Sequence, residues 1–387
     1  MSRLRCVVLA ACLAAAACAK EATGPKPAAY VDIAAGQYHA CALTTTGAAQ
    51  CWGYDYNGDL GYGKFRDTSN VPRAVSGGLA FASVGAGFEF SCGLGSQGAA
   101  YCWGMDDASR LGDSSMSDRA VPGPVLGGLT FASLSVGAGT SCGLTAAGAA
   151  YCWGTNEMLE AGSPANVAYV PAPSAAGGGM TFTTISTGYE VTCGLTSAGA
   201  AWCWGGNEYG ELGVDSTTPF SSTPVAVSGG LTFRSITAGV ARACGVTPAG
   251  KVYCWGLRMG GDYQADAYAP VLVPSTQVFA SVSPGLGVHS CALTTAGAAY
   301  CWGPNDRGEL GTTTAYGGCA ISPCSSVPVP VAGGLTFSRI VTGGNGFTCG
   351  LTTGHEAYCW GANDLGELGD GSFVDAAVPT RVAGPGS

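Results

Sequence analysis

The stretch Cys291-Ala-Leu-Thr-Thr-Ala-Gly-Ala-Ala-Tyr-Cys-Trp-Gly303 contains the pattern that decides the fold. Its second cysteine follows the first by ten residues, and Trp-Gly comes directly after it. The pattern occurs seven times, and successive copies begin 51, 50, 51, 51, 47 and 58 residues apart. A period near fifty along the chain is typical of a repeat protein. The seven cysteine pairs are Cys41 with Cys51, Cys92 with Cys102, Cys142 with Cys152, Cys193 with Cys203, Cys244 with Cys254, Cys291 with Cys301, and Cys349 with Cys359.

Each pair is expected to form a disulfide across the two strands of a β-hairpin. In the first copy, a turn at residues 45–47 lies midway between Cys41 and Cys51, which places the two cysteines directly opposite each other. Opposed residues of antiparallel strands have Cα separations that a disulfide tolerates. Closing a loop of about ten residues stabilises a fold by roughly 2–3 kcal/mol in the chain-entropy model.

The amino terminus has the parts of a secretory signal peptide. Arg3 and Arg5 precede an apolar run that extends to residue 17 and is too short to span a membrane. The segment at 15–18, Ala-Ala-Ala-Cys, resembles the lipobox of bacterial lipoproteins, in which the leader is cut before the cysteine and lipid is attached to it. We therefore expect lipidation of Cys18. The alternatives are lipidation of Cys12 and ordinary cleavage without a lipid.

Three units follow from these boundaries: a signal peptide at 1–17, a flexible tether at 18–29 and a domain of seven repeats at 30–387. The tether is short and contains Gly, Pro and Lys residues, as flexible linkers do. The seven repeats lie near 30–78, 79–128, 129–179, 180–230, 231–277, 278–334 and 335–387.

The cysteine count agrees with export. Of the 19 cysteines, three lie in the leader and 16 remain. An even number in an exported chain indicates disulfides, whereas zinc sites favour cysteines two to four residues apart. We expect an eighth disulfide, between Cys319 and Cys324, inside a long insertion of the sixth repeat. No metal site and no cofactor are expected.

Both faces of each hairpin are apolar, so each must be covered on both sides. Strand alternation puts Cys41 and Leu43 on one face and Trp52 on the other. The end repeats are as regular as the middle ones and carry no polar cap, which favours a closed ring over an open stack. The prediction is an all-β fold, a seven-bladed β-propeller of four-stranded antiparallel blades with one disulfide-stapled hairpin per blade. We expect a strand near Tyr30 to close the ring by completing a sheet begun near Val378.

The charge excludes one class of partner. The net charge is −9, and it becomes −11 without Arg3 and Arg5. Nucleic-acid binding requires clustered Lys and Arg residues, and the chain has no basic run. We therefore expect no nucleic-acid partner, contact with a membrane only through the lipid anchor, and a monomer.

Three linked motifs resemble the repeat of the regulator of chromosome condensation family. They are Ala-Gly-x-x-His-x-Cys-Ala-Leu-Thr at 35–44, Cys-Trp-Gly at 51–53 and 301–303, and Asn-Asp-x-Gly-Glu-Leu-Gly at 305–311 and 363–369. The resemblance covers about residues 30–385 and implies a seven-bladed propeller. With its leader and its cysteine pairs, the chain looks like an exported, lipoprotein-like bacterial member of that family.

The repeats depart from the family pattern at two places. The histidine two residues before the first cysteine is present only as His39 and His289. The Gly-Glu-Leu-Gly turn is altered at 158–162 and 259–262. The founding nuclear member exchanges nucleotide on a small GTPase and docks on chromatin. An exported acidic chain meets neither partner, so that activity is not carried over.

Candidate catalytic groups are few, and we expect no catalytic residue. His39 and His289 occupy equivalent repeat positions, which favours a structural role, and His355 lies in a hairpin turn. The acidic turn at 55–59 has oxygen ligands at alternating positions, as calcium loops do, but Asn, Asp and Gly also build ordinary turns. The tryptophan in each repeat is expected in the core rather than as a sugar platform.

The segments after each Gly-x-Leu-Gly turn vary most and should lie on one face of the disc, where loops carry function. We expect an exported binding scaffold, anchored by lipid in the cell envelope, that recognises a protein or other macromolecule through this face. The alternatives are a propeller enzyme acting on glycans, a hydrolase or lyase, and a purely structural envelope protein. The candidate binding residues are Tyr62, Phe65, Tyr169, Phe220, Tyr263, Tyr268, Tyr316 and Phe373.

Overall fold

Seven antiparallel sheets of four strands each make up the fold. The computed structural model describes residues 29–163, 167–214, 218–257, 266–287, 289–314, 317–319 and 323–384. The predicted all-β, seven-bladed propeller is confirmed. The signal peptide, Cys12, Cys18 and all of the tether except Ala29 lie outside the described residues. In the part of the chain that is described, no helix is long and apolar enough to cross a bilayer.

The four strands of each blade follow one another in the chain, and the first strand of each blade borders a central channel. Two 3-10 helices, Gly177–Gly179 and Ser228–Gly230, lie between blades. Blade 1 contains β1 Tyr30–Ala35, β2 His39–Thr44, β3 Ala49–Gly53 and β4 Ser69–Ala74. Blade 2 contains β5 Phe81–Ala86, β6 Phe90–Gly95, β7 Ala100–Gly104 and β8 Arg119–Pro124. Blade 3 contains β9 Ser133–Val136, β10 Thr140–Leu144, β11 Ala150–Thr155 and β12 Tyr169–Ala175, and blade 4 contains β13 Thr184–Thr187, β14 Val191–Leu195, β15 Ala201–Gly206 and β16 Phe220–Ala226. Blade 5 contains β17 Ser235–Ala238, β18 Arg242–Val246, β19 Val252–Gly256 and β20 Ala267–Leu272. Blade 6 contains β21 Phe279–Ser283, β22 Ser290–Thr294, β23 Ala299–Pro304 and β24 Cys324–Pro330. Blade 7 contains β25 Phe337–Thr342, β26 Phe347–Thr352, β27 Ala357–Gly361 and β28 Ala376–Arg381.

The expected exchange of a strand between the chain ends is wrong. β1 pairs with β2 in the first blade, and β28 completes the last blade by pairing with β27. Each end repeat therefore supplies all four of its own strands, and no position is left for a strand from the other end. The ring is closed instead by contacts between complete blades: the amides of Gly344 and Asn345 donate to the carbonyls of Gly36 and Gln37 at 3.0 and 2.8 Å.

The structure joins the cysteine pairs as predicted from their spacing. Cys41 lies directly opposite Cys51 in the β2–β3 pair, with the two Cα atoms 4.1 Å apart. The other six hairpins carry the same disulfide, with Cα separations of 4.0–4.1 Å. These six disulfides join Cys92 to Cys102, Cys142 to Cys152, Cys193 to Cys203, Cys244 to Cys254, Cys291 to Cys301, and Cys349 to Cys359. The prediction of one stapled hairpin per blade is confirmed.

An eighth disulfide lies outside the hairpins. It joins Cys319 to Cys324, whose Cα atoms are 6.3 Å apart, as expected for the insertion of the sixth repeat. Cys324 is the first residue of β24, so this bond fixes the end of the insertion to the outermost strand of blade 6.

Each blade packs a different face against each of its two neighbours. Cys41 and Leu43 of blade 1 pack with Phe81 and Trp103 of blade 2. On the opposite side, Trp52 packs against blade 7 in a cluster that includes residues of β26 and β27. Every hairpin therefore lies in the interior, as its two apolar faces require.

Backbone hydrogen bonds also link the blades around the channel, at the loops that join the first and second strands. We call these the inner loops. A Cβ at Gly137 or Gly188 would meet the carbonyl oxygen of the glycine in the next inner loop, so this close approach requires glycine. The donor and acceptor pairs are Gln37/Gly87, Phe88/Ala138, Ala138/Gly188, Tyr189/Gly239, Val240/Gly285 and Gly344/Gly36, at 2.9–3.1 Å.

A second link between blades is the turn that opens the connection between the third and fourth strands, which we call the bracket turn. In blade 7, the Asn363 side chain accepts a hydrogen bond from the Leu368 amide at 2.9 Å, and Glu367 accepts one from the Leu365 amide at 2.9 Å. The Glu367 carbonyl then accepts the indole N–H of Trp52 in blade 1 at 2.8 Å. Asp55, Asp106, Asn156, Asn207 and Asn305 accept the equivalent amide hydrogen bond at 2.9–3.2 Å.

The Asp55 side chain, a candidate calcium ligand from the sequence, organises the turn itself. The Asp55 carboxylate is buried, accepts the Leu60 amide and has its pKa raised to about 6 by burial. Among the described residues, no group of three or more His, Cys, Asp and Glu side chains is arranged to hold a metal ion.

The indole hydrogen bond of the bracket turn can be tested at the junction that closes the ring. Trp52→Phe removes the bond to Glu367 and leaves a buried carbonyl without that donor. We expect it to lower the free energy of unfolding by about 1 kcal/mol more than Trp153→Phe does. Trp153 is the matched control, because its buried indole nitrogen has no hydrogen-bond partner among the described residues. Denaturant unfolding with the disulfides intact measures both, and equal losses would contradict the assigned role.

The bracket turns also predict a pH dependence of stability. Glu211 is fully buried, and burial raises the pKa of its carboxyl from 4.5 to about 7. The folded state thus holds this proton more tightly than the unfolded state does. The contribution of the protonated Glu211 carboxyl to the free energy of unfolding is fully present below pH 4.5 and is lost as the pH rises through about 7. The free energy of unfolding then falls by up to about 1.4 kcal/mol per pH unit.

We expect Glu211→Gln to flatten this slope and to be more stable than the wild type at pH 8. The amide keeps an oxygen that can accept the Tyr209 amide, which bonds Glu211 at 2.9 Å. Urea unfolding of both proteins from pH 4 to pH 8 provides the measurement. Parallel stability profiles would show that ionisation of Glu211 is not the cause.

Candidate functional site

The strand order divides the surface of the disc into two faces. In a four-stranded antiparallel meander, the first and third connections lie at one end of the sheet, and the second connection lies at the other. The inner loops and the connections between third and fourth strands, which we call the outer loops, therefore share one face, named here the loop face. In blade 1 these are residues 36–38 and 54–68. The hairpin turns and the links between blades form the opposite face, the hairpin face.

The six predicted binding residues that the structure describes lie on or beside this face, in the outer loops or the first residues of the outermost strands. Phe65, Tyr169, Phe220 and Phe373 are 40–52% exposed. Tyr62 is partly buried and donates its hydroxyl to the Asp67 carbonyl at 2.5 Å. Tyr268 is also partly buried and donates to the Glu208 carbonyl at 2.7 Å. Tyr263 and Tyr316 lie outside the described residues.

A group of aromatic rings from the inner and outer loops of blades 1 and 2 forms a continuous surface, which we call the aromatic ladder. The Tyr54 and Tyr56 rings stack with their planes 6° apart and their centroids 6.2 Å apart. Tyr38 contacts Tyr54 and Phe88 edge-on, at 5.9 and 5.6 Å. The Arg66 guanidinium lies 4.5 Å from the centre of the Tyr56 ring.

Beyond Phe88 the loop face contains a cavity of about 440 Å³ between blades 2, 3 and 4, which we call the acidic cleft. A cavity of this size can hold a side chain or a small ligand. Its apolar wall includes three aromatic rings. The aromatic lining residues are Phe88, Tyr169 and Tyr189, and the charged ones are Asp107, Arg110, Glu157, Glu160 and Glu190.

Two glutamates of the cleft, Glu160 and Glu190, are held in place by different hydrogen bonds. Glu160 is buried, and its carboxylate accepts the Met158 amide at 3.0 Å as part of the bracket turn of blade 3. Glu190 is half-buried in the inner loop of blade 4, where its carbonyl is fixed by the Gly206 amide at 2.8 Å. Burial, and then the charges of Glu160, Glu208 and other acids, raise the pKa of the Glu190 carboxyl.

The cleft lies where the bracket turns depart from the repeat pattern. Ser109 and Leu159 replace the glycine of the turn and hold positive φ angles of 57° and 67°. Side chains rarely adopt this conformation, and such residues cluster at functional sites. The neighbouring Trp153 and Trp204 are the two tryptophans whose buried indole nitrogens have no hydrogen-bond partner among the described residues.

The histidines have structural roles. The rings of His39 and His289 are buried between blades and hydrogen-bond to Ser91 and Thr348, each at 2.7 Å. Burial lowers their pKa values to about 4 and about 3, so both rings are neutral near pH 7. His355 hydrogen-bonds to the Tyr30 carbonyl at 3.0 Å and joins blades 7 and 1.

The motif tryptophans lie in the core, and the first strands of the blades enclose a central channel. The tryptophan of each Cys-Trp-Gly motif is at most 2% exposed, so these rings pack in the core and offer no platform to a sugar. The central channel encloses a cavity of about 200 Å³ lined by small and hydroxyl side chains, with Arg339 paired to Asp32 at 2.8 Å.

Sequence reasoning missed the inner-loop residues Tyr38, Phe88, Tyr189 and Glu190. The loops that carry them are only three residues long and directly precede the strand that contains the first cysteine of each pair. The signal was present, because a four-stranded meander brings the first and third connections to the same end of the sheet. The residues three and four positions before the first cysteine of each pair thus belong to the loop face.

Comparison with known proteins identifies the repeat. Residues 30–59, 81–109, 182–211 and 339–367 match a family model described as regulator of chromosome condensation (RCC1) repeat. Residues 355–387 match a second model of the same description.

The chain is also similar to individual proteins. It is 28% identical over 377 residues to the ultraviolet-B receptor UVR8 of Arabidopsis thaliana, covering 95% of this chain and 72% of that protein. It is 28% identical over 210 residues to the human E3 ubiquitin-protein ligase HERC2, covering 52% of this chain but 4% of that protein.

Among solved structures, the chain is similar to Prp20p from Saccharomyces cerevisiae, with a TM-score of 0.76 and 21% sequence identity. The match covers 90% of this chain and 87% of Prp20p. This likeness agrees with the fold derived above. The protein is therefore a seven-bladed β-propeller in which regulator of chromosome condensation (RCC1) repeats are recognised at the residues given above.

Proposed function

We propose that the protein is a binding module that recognises a protein partner through its loop face and has no catalytic activity of its own. One observation carries the proposal: aromatic side chains are exposed on the loop face of a scaffold whose every blade is fixed by a disulfide. Rigid aromatic anchors dominate the binding energy of protein interfaces. A scaffold that is ordered beforehand lowers the entropic cost of association.

The relatives support a protein partner. The structure of Prp20p is described together with its binding to Gsp1p and histones, and a further structure describes yeast RCC1 (Prp20) bound by Kap60. UVR8 is a receptor, and HERC2 is a ligase of which the similar region is a small part. None of these partners is transferred to this chain, because the identities are below 30%.

The proposal includes export and a lipid anchor at Cys18. Eight disulfides in the described residues favour an oxidising compartment outside the cytosol. The lipobox-like sequence and the short tether would hold the propeller close to a membrane of the cell envelope, with the loop face free to meet a partner.

Partner capture tests the function. The full-length protein should retain a specific protein from extracts of its own organism. Replacing exposed loop-face rings, as in Tyr169→Ala with Tyr189→Ala, should reduce that retention at least about tenfold, as expected for interface hot spots. Both rings are 40–48% exposed, so thermal stability should not change.

Leu126→Ala is the matched control, because Leu126 is 45% exposed in a link on the hairpin face. Quantitative mass spectrometry and a titration of the retained protein provide the readout. Absence of any specific protein, or equal loss with the control, would contradict the proposal. Turnover of a glycan by the purified protein would favour the enzyme instead, and a silent result in both assays would favour a structural envelope protein.

Lipid labelling tests the anchor. In a bacterial host supplied with a labelled fatty acid, the wild-type protein should incorporate label and Cys18→Ala should not, because the thiol that carries the lipid is gone. Cys12→Ala serves as the control and should label normally. Unchanged labelling of Cys18→Ala would move the anchor elsewhere, and an unlabelled wild type would rule the anchor out.

A further inference from the structure

The acidic cleft combines a concave aromatic wall with carboxylates that lack a counter-ion. Tyr169 and Tyr189 are 40% and 48% exposed, so their rings are open to solvent at the mouth of the cavity. Glu157 and Glu190 also line the cavity. Among the described residues, neither carboxylate forms an ion pair with a Lys, Arg or His side chain.

Two carboxylates at equivalent positions elsewhere on the loop face, Glu89 and Asp364, have polar partners. Glu89 occupies in blade 2 the inner-loop position that Glu190 occupies in blade 4, and its carboxylate accepts the Asn57 side-chain amide at 2.6 Å. Asp364, in the bracket turn of blade 7, pairs with Arg307 at 2.9 Å. Glu89 and Asp364 thus have polar partners, whereas Glu157 and Glu190 face the cleft without an ion pair among the described residues.

Arg110, at the edge of the cleft, illustrates how the same surroundings hold a guanidinium. Its guanidinium carbon lies 5.6 Å from the centre of the Phe88 ring. Its nitrogens lie 3.0 Å from the Phe88 carbonyl and 3.3 Å from the Asp107 carboxylate. A guanidinium stacks on aromatic faces and matches carboxylates with two parallel hydrogen bonds, which an ammonium group cannot do.

We infer that the acidic cleft binds an arginine side chain of the partner, between the rings of Tyr169 and Tyr189 and against the carboxylates of Glu157 and Glu190. This inference rests on the proposed function, since it names what the partner presents to the loop face. The occupant follows from charge complementarity: two unpaired carboxylates and an aromatic wall favour a cation that is planar and polar at its edges. Pairing it would also relieve the repulsion among the acids that surround Glu190.

Short peptides test the cleft directly. The probes are Ac-Gly-Arg-Gly-NH₂ and the same peptide with citrulline, which keeps the shape of arginine but carries no charge. With the full-length protein, NMR titration should give a Kd of about 0.1–1 mM for the arginine peptide and at least tenfold weaker binding of the citrulline peptide. Glu190→Gln should weaken binding of the arginine peptide about tenfold. Tyr189→Leu should weaken it by a similar factor through loss of the ring face.

Glu89→Gln is the matched control, because it removes one charge from the equivalent loop, and it should change the Kd less than twofold. Equal binding of the two peptides, no binding of the arginine peptide, or equal weakening by Glu89→Gln and Glu190→Gln would each overturn the inference.

Capture of the partner through the loop face distinguishes a failure of this inference from a failure of the proposed function. If Glu190→Gln retains that partner at the wild-type level, the cleft is not its arginine site and the binding function still stands. If no partner is captured but the peptide results hold, the cleft stands and the proposed function fails.

Discussion

Neither face of a blade can be exposed to water, and this constraint governs the rest of the structure. In blade 1, the Cys41–Cys51 disulfide and Leu43 pack against one neighbouring blade, and Trp52 packs against the other. The other repeats follow the same arrangement. A blade is therefore stable only between two others, and seven of them close without any strand passing from one end of the chain to the other. The ends are held by packing, by the inner-loop hydrogen bonds and by the indole of Trp52 on Glu367.

The same turns that join the blades also position the candidate site. In the described bracket turns the Asn or Asp side chain accepts a backbone amide, and in blades 3, 4, 6 and 7 the buried glutamate accepts another. The residue directly after the Asn or Asp faces solvent on the loop face. At this exposed position the described blades carry residues such as Tyr56, Glu157 and Glu208, which differ in charge and size. The scaffold can thus keep its hydrogen bonds while its surface changes, and the acidic cleft lies where the scaffold pattern itself is altered, at Ser109 and Leu159.

Much of the fold followed from local sequence because its rules act over short distances. The ten-residue spacing of Cys41 and Cys51 requires a tight hairpin, and period-two alternation assigns Leu43 and Trp52 to opposite faces. The manner of ring closure did not follow, since it depends on whether β28 or β1 occupies the edge beside β27, which a repeat pattern leaves open. Exposed rings of the outer loops, such as Phe65 and Phe373, were found from variability among repeats, whereas Tyr38 and Glu190 were hidden in loops that look like scaffold.

The sequence alone determined the number of blades, the disulfide pairs and the chemical character of each strand face, because these depend on spacing and alternation along one chain segment. Only the tertiary structure decided which residues share a surface. Phe88, Tyr169 and Glu190 come from three different repeats, and they meet because neighbouring blades are stacked about a common axis. A binding site made between repeats is a property of that stacking, and no single repeat contains it.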